Sequence, residues 1–457
     1  MAAGADTKAR SKRGDRKARA SAAPAGLAAR AAAVRLIAAV MQKQHALDDA
    51  LAKEFASDAL APRDRALARL IAGTVLRQAG ELKAVLSGYL EKPPPEPSGN
   101  LWPILLAGAA QLLYLNTPPH AAVGLAVEQS RHDPRARRYD RLINAVLRHV
   151  SREGLSALQG LDAARLNVPA WLFERWSKTY GEADARRIAS ASLCEAPLDL
   201  SVRSDPGLWA ERLGGTVLPT GSVRLAAGGR IEDLPGYAEG AWWVQDAGAA
   251  IPARLLGDVA GRSVADLCAA PGGKTAELAA AGADVTAVEL SAERLGRLRG
   301  NLERLHLAAE LVVADAASWA PGKVFDGVLL DAPCTATGTI RRHPDILHLK
   351  RPEDVATLAA LQSRLLDNAA RLVKPGGMLV YCTCSLEPEE GPEQIARLLA
   401  NDPGFSRLPI APGECGILPD WITSDGDLRT LPFHLPHAQK ELSGIDGFYA
   451  ARLSRRT

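Results

Sequence analysis

Three cysteines follow apolar stretches of the sequence and could do nucleophilic chemistry. Cys382 and Cys384 are one residue apart in LVYCTCSLEPEEG (379–391), and Cys334 follows a proline in DAPCTATGT (331–339). A cysteine thiolate adds readily to electron-poor carbon atoms, so each of these residues is a candidate nucleophile. The sequence must also explain which molecule such a thiolate would attack.

The spacing of Cys382 and Cys384 could instead indicate a metal or redox site. Structural zinc normally needs four ligands, and none of the other cysteines or histidines forms a second paired knuckle. We therefore expect no metal. Residues two apart in a strand share a face, so Cys382 is predicted to pack one step deeper than Cys384 as a small apolar side chain.

A glycine turn in DLCAAPGGKT (266–275) is the candidate cofactor site. A strand, a glycine turn and a helix start let backbone N–H groups approach an anionic group. A Walker phosphate loop would need glycine at position 268, which is Cys268, and a dinucleotide fingerprint would need three spaced glycines, of which only Gly272 and Gly273 are present. S-adenosylmethionine fits better, because it has no phosphate and its carboxylate suits the turn.

Acidic residues at the ends of successive predicted strands support this cofactor. Glu289 lies 23 residues after Asp266 and is predicted to bind the ribose, although a lone strand-end glutamate can also serve as a helix cap. Asp315 ends the third strand and is placed to meet the adenine amino group. The complete set of predicted cofactor-binding residues is Cys268, Ala269, Ala270, Pro271, Gly272, Gly273, Lys274, Glu289, Asp315 and Asp331.

The elements that position these residues fall into three regions after a basic tail at residues 1–26. Residues 27–160 have apolar positions at helical spacing only, and residues 161–240 mix a helix with short strand-like runs. Residues 241–457 alternate strand and helix, which predicts a Rossmann-like, mainly parallel sheet with ligands at the carboxyl ends of its strands. The predicted fold is therefore an all-α N-terminal domain, a small α+β module and an α/β domain.

Composition limits the classes of protein and suggests two basic surfaces. No apolar run approaches the roughly 18 residues of a membrane span, and no export signal is evident, so we expect a cytoplasmic monomer. The first twenty residues carry seven Lys or Arg against two Asp, as in a solvated tail or a polyanion-binding arm; a transit peptide is a third alternative, which Asp6, Asp15 and the glycines suit poorly. A second group is either a solvated face or a phosphate-contacting surface: Arg131, Arg135, Arg137, Arg138 and Arg141.

Three motifs resemble the signature motifs of the RNA cytosine-C5 methyltransferases, the Sun/NOL1/NOP2 family. They are DLCAAPGGKT, DAPCTATGTIRRHPDI and YCTCSLEPEE. The resemblance runs from about residue 169 to the end of the chain, where DGFYAARL (446–453) is similar to the closing strand of the family. The helices around TPPHAAVGLAVEQ (117–129) and NAVLRHV (144–150) resemble a NusB-type RNA-binding domain. The combination of a NusB-like domain with these methyltransferase motifs implies 16S ribosomal RNA as the substrate.

The chemistry that the resemblance implies needs a cysteine. Carbon 5 of cytosine becomes a nucleophile only when a thiolate adds to carbon 6, and the base must first leave its stack. In the RNA enzymes that thiolate maps onto Cys384, whereas Cys334 assists product release. Asp331 stands at a strand end to contact N3 of the base. Arg341 and Arg342 are predicted to hold target phosphates.

Other functions remain open from the sequence. The target could be tRNA or another RNA rather than 16S ribosomal RNA. In the DNA cytosine-C5 enzymes the Pro-Cys cysteine attacks, which would assign the covalent bond to Cys334. A non-catalytic RNA-binding protein would tolerate loss of Asp331, Cys334 and Cys384, but all three are present.

Overall fold

The structure is a computed structural model that describes residues 24, 26–57, 59–92, 94, 97–226 and 228–457. The basic run in residues 1–23 lies outside the described residues. The chain divides into two compact units, Met1–Asn167 and Val168–Thr457. Among the described residues, no helix is long and apolar enough to cross a membrane.

The first unit consists of helices wherever the structure describes it. The helix at Leu101–Leu113 is its centre, because the sequence LWPILLAGAAQLL is apolar on every side and eleven of its thirteen residues are buried. Gly108 lets Leu147 of a neighbouring helix approach, since a Cβ there would lie 2.5 Å from a Leu147 methyl carbon. The helices are α1 Leu27–Met41, α2 Leu47–Glu54, α3 Pro62–Arg77, α4 Ala79–Gly88, α5 Leu101–Leu113, α6 Pro119–His132, α7 Asp140–Glu153 and α8 Ala163–Asn167.

The second unit begins with three helices and a small antiparallel sheet. Its strand order is β2-β3-β1-β4, and the inner face of the sheet buries Leu200, Val223 and Trp242. The elements are α9 Ala170–Tyr180, α10 Glu182–Ser192, β1 Leu198–Val202, α11 Pro206–Leu213, β2 Thr216–Val217, β3 Val223–Leu225 and β4 Trp242–Val244.

A larger sheet of eight strands follows in the same unit. Strands β5 to β9 are parallel to their neighbours in the order β9-β8-β5-β6-β7, and β12 pairs antiparallel with β9, β10 and β11. The strands are β5 Ser263–Leu267, β6 Asp284–Glu289, β7 Glu310–Val313, β8 Phe325–Asp331, β9 Val373–Thr383, β10 Phe405–Arg407, β11 Leu428–Arg429 and β12 Tyr449–Arg455. The helices are α12 Ala247–Arg254, α13 Gly273–Ala280, α14 Ala292–Leu305, α15 Ile346–Leu349, α16 Pro352–Leu372 and α17 Pro392–Asn401.

The predicted fold class is confirmed, with small differences at element ends. Strand β9 begins at Val373 rather than at residue 377, and β7 ends at Val313, so Asp315 lies two residues beyond its strand. The carboxyl ends of β5, β8 and β9 lie side by side in the parallel part of the sheet. The glycine turn and both cysteine loops are therefore brought to one edge.

Candidate active site

Two thiols from distant parts of the chain meet at this edge. The Sγ atoms of Cys334 and Cys384 are 3.4 Å apart, and both residues are free thiols of intermediate exposure. Strands β8 and β9 pair in parallel with Asp331 opposite Cys382, and the Ala332 N–H donates to the Cys382 carbonyl at 2.9 Å. Because the loops that follow the two strands start in register, they place the thiols in contact.

A buried carboxylate joins the two cysteine loops. Glu390 is fully buried and accepts hydrogen bonds from the Thr335 N–H at 2.9 Å and from the Ser385 hydroxyl at 2.5 Å. The Thr335 hydroxyl and Gln362 Nε2 also donate to it, the latter at 3.1 Å. Thr335 follows Cys334 and Ser385 follows Cys384, so Glu390 fixes the neighbour of each thiol.

We predict that Glu390→Gln weakens both folding and methyl transfer. An amide has one acceptor oxygen in place of two, so buried donors on the two cysteine loops lose their partner at a cost of about 1–3 kcal/mol. Urea unfolding should report that loss, and the methyl-transfer rate should fall at least about tenfold because the thiols are less well aligned. Glu393→Gln, at the exposed start of α17, is the control; equal stability and rate for both variants would contradict the prediction.

Cys334 is the thiol of the pair whose pKa is clearly shifted. The hydrogen bond with Cys384 and burial together raise the pKa of Cys334 well above that of a free thiol. Cys334 therefore keeps its proton at neutral pH and can donate it to Cys384 Sγ. Cys382 is fully buried in the core, where burial and Asp331 raise its pKa well above the usual value, in agreement with the packing role predicted from strand periodicity.

A lysine and an aspartate form an ion pair beside the thiols. Lys274 Nζ donates to Asp331 Oδ2 at 2.8 Å and lies 5.2 Å from the centre of the Phe448 ring. Burial alone would lower the pKa of Lys274, but the charge and hydrogen bond of Asp331 outweigh it and raise that pKa above its ordinary value. Lys274 is therefore an ammonium ion, and Asp331 is held at the end of β8.

The glycine turn has the backbone geometry that its sequence predicts. Gly272 has φ +104°, and a Cβ there would lie 2.8 Å from Leu298 Cγ, so a larger residue is excluded both by conformation and by contact. Helix α13 begins at the next residue. The Ala270 carbonyl accepts from Arg294 Nη2 at 2.7 Å and the Pro271 carbonyl accepts from Asn301 Nδ2 at 3.0 Å, which anchors the turn on α14.

A cavity of about 530 Å³ opens between the turn, the ion pair and the small sheet. Its described lining includes six predicted cofactor-binding residues as well as residues that were not predicted to bind the cofactor. The predicted ones are Ala269, Pro271, Gly272, Gly273, Lys274 and, from β8, Asp331. The others include Trp243, Gln245, Asp246, Asp266, Arg342, Asp446 and Phe448.

Two predicted acids lie outside the described lining of this cavity. Glu289 ends β6 and is buried, and its carboxylate accepts from the Ala270 N–H at 3.3 Å, from the Ser291 N–H at 3.1 Å and from Arg294 Nη1 at 3.3 Å. Asp315 is exposed and accepts from the Ala317 N–H at 2.9 Å. Glu289 therefore supports the turn directly, whereas Asp315 is exposed just after the end of β7.

The buried carboxyl group of Asp266 lies under the turn. It accepts from the Thr275 hydroxyl through Oδ2 at 2.5 Å, and its Oδ1 has no hydrogen-bond partner among the described residues. Burial raises the pKa of Asp266 to about 7. At neutral pH the Asp266 side chain therefore exists both as a carboxylate and as a carboxylic acid. Its charge can change with the charge of a molecule bound in the cavity.

We predict that Asp266→Asn changes the pH dependence of stability. An unfolded aspartate titrates near pH 4, so between pH about 4 and 7 the folded protein holds a proton that the unfolded chain has released. Wild-type stability therefore falls with rising pH, by up to about 1.4 kcal/mol per pH unit from this group, and asparagine lacks that slope. Urea unfolding without cofactor should show that the free energy of unfolding of the variant, relative to wild type, is higher at pH 8 than at pH 5. The same difference at both pH values would contradict the prediction.

Arg341 and Arg342 are engaged within the protein rather than presented to RNA. Arg342 donates through Nη2 to Asp246 at 2.7 Å and through Nε to Asp446 at 3.0 Å. Arg341 is 1% exposed and donates through Nη2 to the Ser443 carbonyl at 2.5 Å. A phosphate would have to displace two carboxylates from Arg342, so this geometry does not support the phosphate contact predicted for that residue.

Sequence reasoning missed the residues that hold the site together. Glu390 follows Cys384 within the same motif, but nothing in the sequence indicates that it reaches Thr335 on the other loop. The same is true of Asp246 and Asp446, which are 200 residues apart and meet at Arg342. Among the described residues, no group of three or more His, Cys, Asp or Glu side chains is arranged to hold a metal ion.

Comparison with known proteins agrees with the motifs. A family model for the 16S rRNA methyltransferases RsmB/F matches residues 253–454, and the NusB family model matches residues 27–152. Ribosomal RNA small subunit methyltransferase B of Vibrio cholerae is 38% identical over 412 residues, which cover 84% of this chain and 94% of that protein.

Two solved structures share the fold. The crystal structure of PH0851 has a TM-score of 0.70 at 23% identity, covering 95% of this chain and 99% of that one. A methyltransferase homolog protein from Pyrococcus horikoshii has a TM-score of 0.51 at 28% identity, covering 62% of this chain and 93% of that one. The resemblance seen in the motifs is thereby confirmed: this chain belongs to the RsmB/F family of 16S rRNA methyltransferases and carries a NusB-family domain ahead of the catalytic one.

Proposed function

We propose that the protein transfers a methyl group from S-adenosylmethionine to carbon 5 of a cytosine in 16S ribosomal RNA, through a covalent bond between Cys384 and carbon 6. The observation that carries this proposal is the contact of Cys334 and Cys384 at 3.4 Å, on the loops that follow β8, which ends at Asp331, and β9. Two thiols and a carboxyl group are the set that addition to a pyrimidine, methyl transfer and elimination require.

The cavity residues fit S-adenosylmethionine. The glycine turn leaves room for the cofactor backbone, and the orphan Oδ1 of buried Asp266 is an acceptor for an ammonium group. Asp331 also lines the cavity and adds negative charge near a sulfonium. When bound, the cofactor supplies an electrophilic methyl group. We propose that Glu289 and Asp315 contribute the ribose and adenine contacts from the same sheet edge.

Addition of Cys384 to the base starts the proposed reaction. The Cys384 thiolate forms a bond to carbon 6, and the C5=C6 electron pair then makes carbon 5 the nucleophile that takes the methyl group. The C5 proton then leaves to water, and cleavage of the S–C6 bond restores the double bond and returns the thiolate. Negative charge accumulates at N3 during the addition, and Asp331 in its carboxylic acid form stabilises that charge by donating a hydrogen bond to N3.

Cys334 is proposed to act at the last step. Its raised pKa makes it a neutral thiol that can hydrogen-bond to the departing Cys384 sulfur, 3.4 Å away. That hydrogen bond stabilises the thiolate as the S–C6 bond breaks, which is the product-release role implied by the RNA methyltransferases. A DNA-type mechanism would exchange the two roles and place the covalent bond on Cys334.

The substrate assignment follows from the relatives. The Vibrio cholerae protein is named for the small ribosomal subunit, and the NusB-family region of this chain is a second domain suited to RNA. The experiment is to incubate wild-type protein with labelled cofactor and unmodified 16S ribosomal RNA, digest the RNA, and identify the methylated nucleoside. We expect 5-methylcytosine. Another methylated nucleoside would refute the chemistry, and methylation of tRNA or DNA alone would refute the substrate.

A further inference from the structure

A groove of about 400 Å³ lies outside the cofactor cavity, between helix α10 and the segment 432–444. Both sides of the groove belong to the second compact unit. It combines basic side chains with apolar ones and has no part in the proposed chemistry. Its described lining consists of Arg186, Arg187, Ser190, Ala191, Cys194, Arg341, Pro432, Phe433, Pro436, Lys440, Ser443 and Gly444.

The groove is electropositive. Four of its described lining residues are Arg or Lys and none is Asp or Glu. Arg186 and Arg187 have acidic partners on the outer surface, Glu182 at 3.2 Å and Asp184 at 2.9 Å. Both ion pairs are solvent-exposed, where such pairs contribute about 0–1 kcal/mol, so a phosphate can take over these arginines at little cost.

A flat stacking surface forms one wall. The guanidinium carbon of Arg187 lies 3.6 Å from the centre of the Phe433 ring, and Arg187 is exposed. Unpaired RNA bases stack on arginine planes and on aromatic rings in this way. The proline residues 432 and 436 supply apolar contact on the same side of the groove. The wall therefore suits a base rather than a phosphate alone.

The groove adjoins the active site through neighbouring residues. Arg341 lines the groove, and Arg342, the next residue, lines the cofactor cavity. Arg341 is 1% exposed and held to the Ser443 carbonyl, so this junction is a fixed part of the wall. The groove and the cofactor cavity therefore meet at two consecutive residues.

We propose that the groove binds an unpaired nucleotide of the RNA substrate beside the target cytosine. Its base stacks on the Arg187–Phe433 wall, and its phosphate is contacted by Arg186 and Lys440. This proposal deepens the function proposed above and rests on it. Basic charge without acidic lining also suits an acidic peptide, but the stacked arginine and phenylalanine favour a nucleotide.

Binding of RNA by charge-reversed and ring-deleted variants tests the proposal. Arg187→Glu and Phe433→Leu should each weaken binding of unmodified 16S ribosomal RNA by about tenfold, since stacking contributes about 1–3 kcal/mol per base. Arg186→Glu should instead lower the salt dependence of binding by about one phosphate contact. Arg297→Glu is the matched control, because Arg297 is equally exposed and pairs with Glu293 on α14 at 2.6 Å.

Native cysteines give a second readout that does not depend on variants. Cys194 lines the groove, whereas Cys415 lies elsewhere in the same unit, and both are free and partly exposed. Ribosomal RNA should slow alkylation of Cys194 by iodoacetamide several-fold and leave Cys415 unchanged, as measured by peptide mass spectrometry. Equal protection of the two, or of neither, would overturn the proposal.

The outcomes separate this proposal from the proposed function. If wild type makes 5-methylcytosine while Arg187→Glu and Phe433→Leu bind RNA as wild type does, the groove proposal fails and the function stands. Such a result would leave the groove to an acidic protein segment. If wild type binds RNA in the groove without forming 5-methylcytosine, the function fails while the groove proposal holds.

Discussion

Cys384→Ala is expected to abolish methyl transfer, with a loss of at least about a thousandfold in single-turnover rate. Cys384 is the group proposed to form the bond to carbon 6, and Cys334 keeps its proton at neutral pH because its hydrogen bond with Cys384 and its burial raise its pKa. In Cys334→Ala, Cys384 should still add to the base. This variant lacks the 3.4 Å hydrogen bond from Cys334 that assists departure of the Cys384 sulfur from carbon 6. A covalent protein–RNA adduct should therefore accumulate in this variant.

Denaturing gels with labelled RNA and cofactor measure both effects. The expected pattern is an adduct with Cys334→Ala and none with Cys384→Ala or with the double variant. Cys415→Ala, at a partly exposed free thiol outside the groove, is the control for loss of a thiol. Retained activity in Cys384→Ala, or an adduct that requires Cys334, would transfer the nucleophile to the other loop and support the DNA-type assignment.

Asp331→Asn is expected to reduce methyl transfer by about 100- to 10,000-fold, the usual range for a group that assists proton transfer or charge stabilisation. It also removes the carboxylate 2.8 Å from Lys274, whose ammonium is nearly buried. Removing one partner of a buried ion pair costs about 3–5 kcal/mol, and the cost here should be smaller because the Asp331 side chain is 32% exposed. Urea unfolding and single-turnover rates separate the two effects.

A variant on the same strand provides the matched control. Asp326, near the amino end of β8, also pairs with a lysine, Lys374, but lies at the opposite end of the strand from the site. Asp326→Asn should leave the rate unchanged. In a double variant, Lys274→Met should restore part of the stability lost in Asp331→Asn, since no charge is then left unpaired. Equal rates for Asp331→Asn and Asp326→Asn would exclude a catalytic role for Asp331.

The sequence predicted the parts of the site that depend on local order. The strand, turn and helix around Gly272 were predicted from a single motif, because a glycine at positive φ has a sequence signature. The partnership of Cys334 and Cys384 was implied by the resemblance to the RNA cytosine-C5 methyltransferases, and placing the motifs at strand ends predicted only that they share one sheet edge. The fold class is confirmed, and in any sheet of parallel strands the carboxyl ends of the strands lie at the same edge.

The sequence could not predict contacts between distant segments. Glu390 bonds to a loop 55 residues away, and the Arg342 network joins residues 200 apart, so no local pattern records either. Arg342 was predicted to bind phosphate, and this network was not predicted. An arginine in the sequence looks the same whether its partner in the folded protein is RNA or a carboxylate. Asp315 lies beyond its strand because β7 ends early.

The in-register pairing of β8 and β9 places the thiols of the two cysteine loops at nearly the same position. With the sulfur atoms only 3.4 Å apart, a bound pyrimidine would have to shift by no more than about the width of one atom to exchange one nucleophile for the other. Transfer of the covalent step from one loop to the other would therefore leave the pairing of the two strands unchanged. A scaffold of this kind tolerates mechanistic change at its reactive centre while its core is preserved.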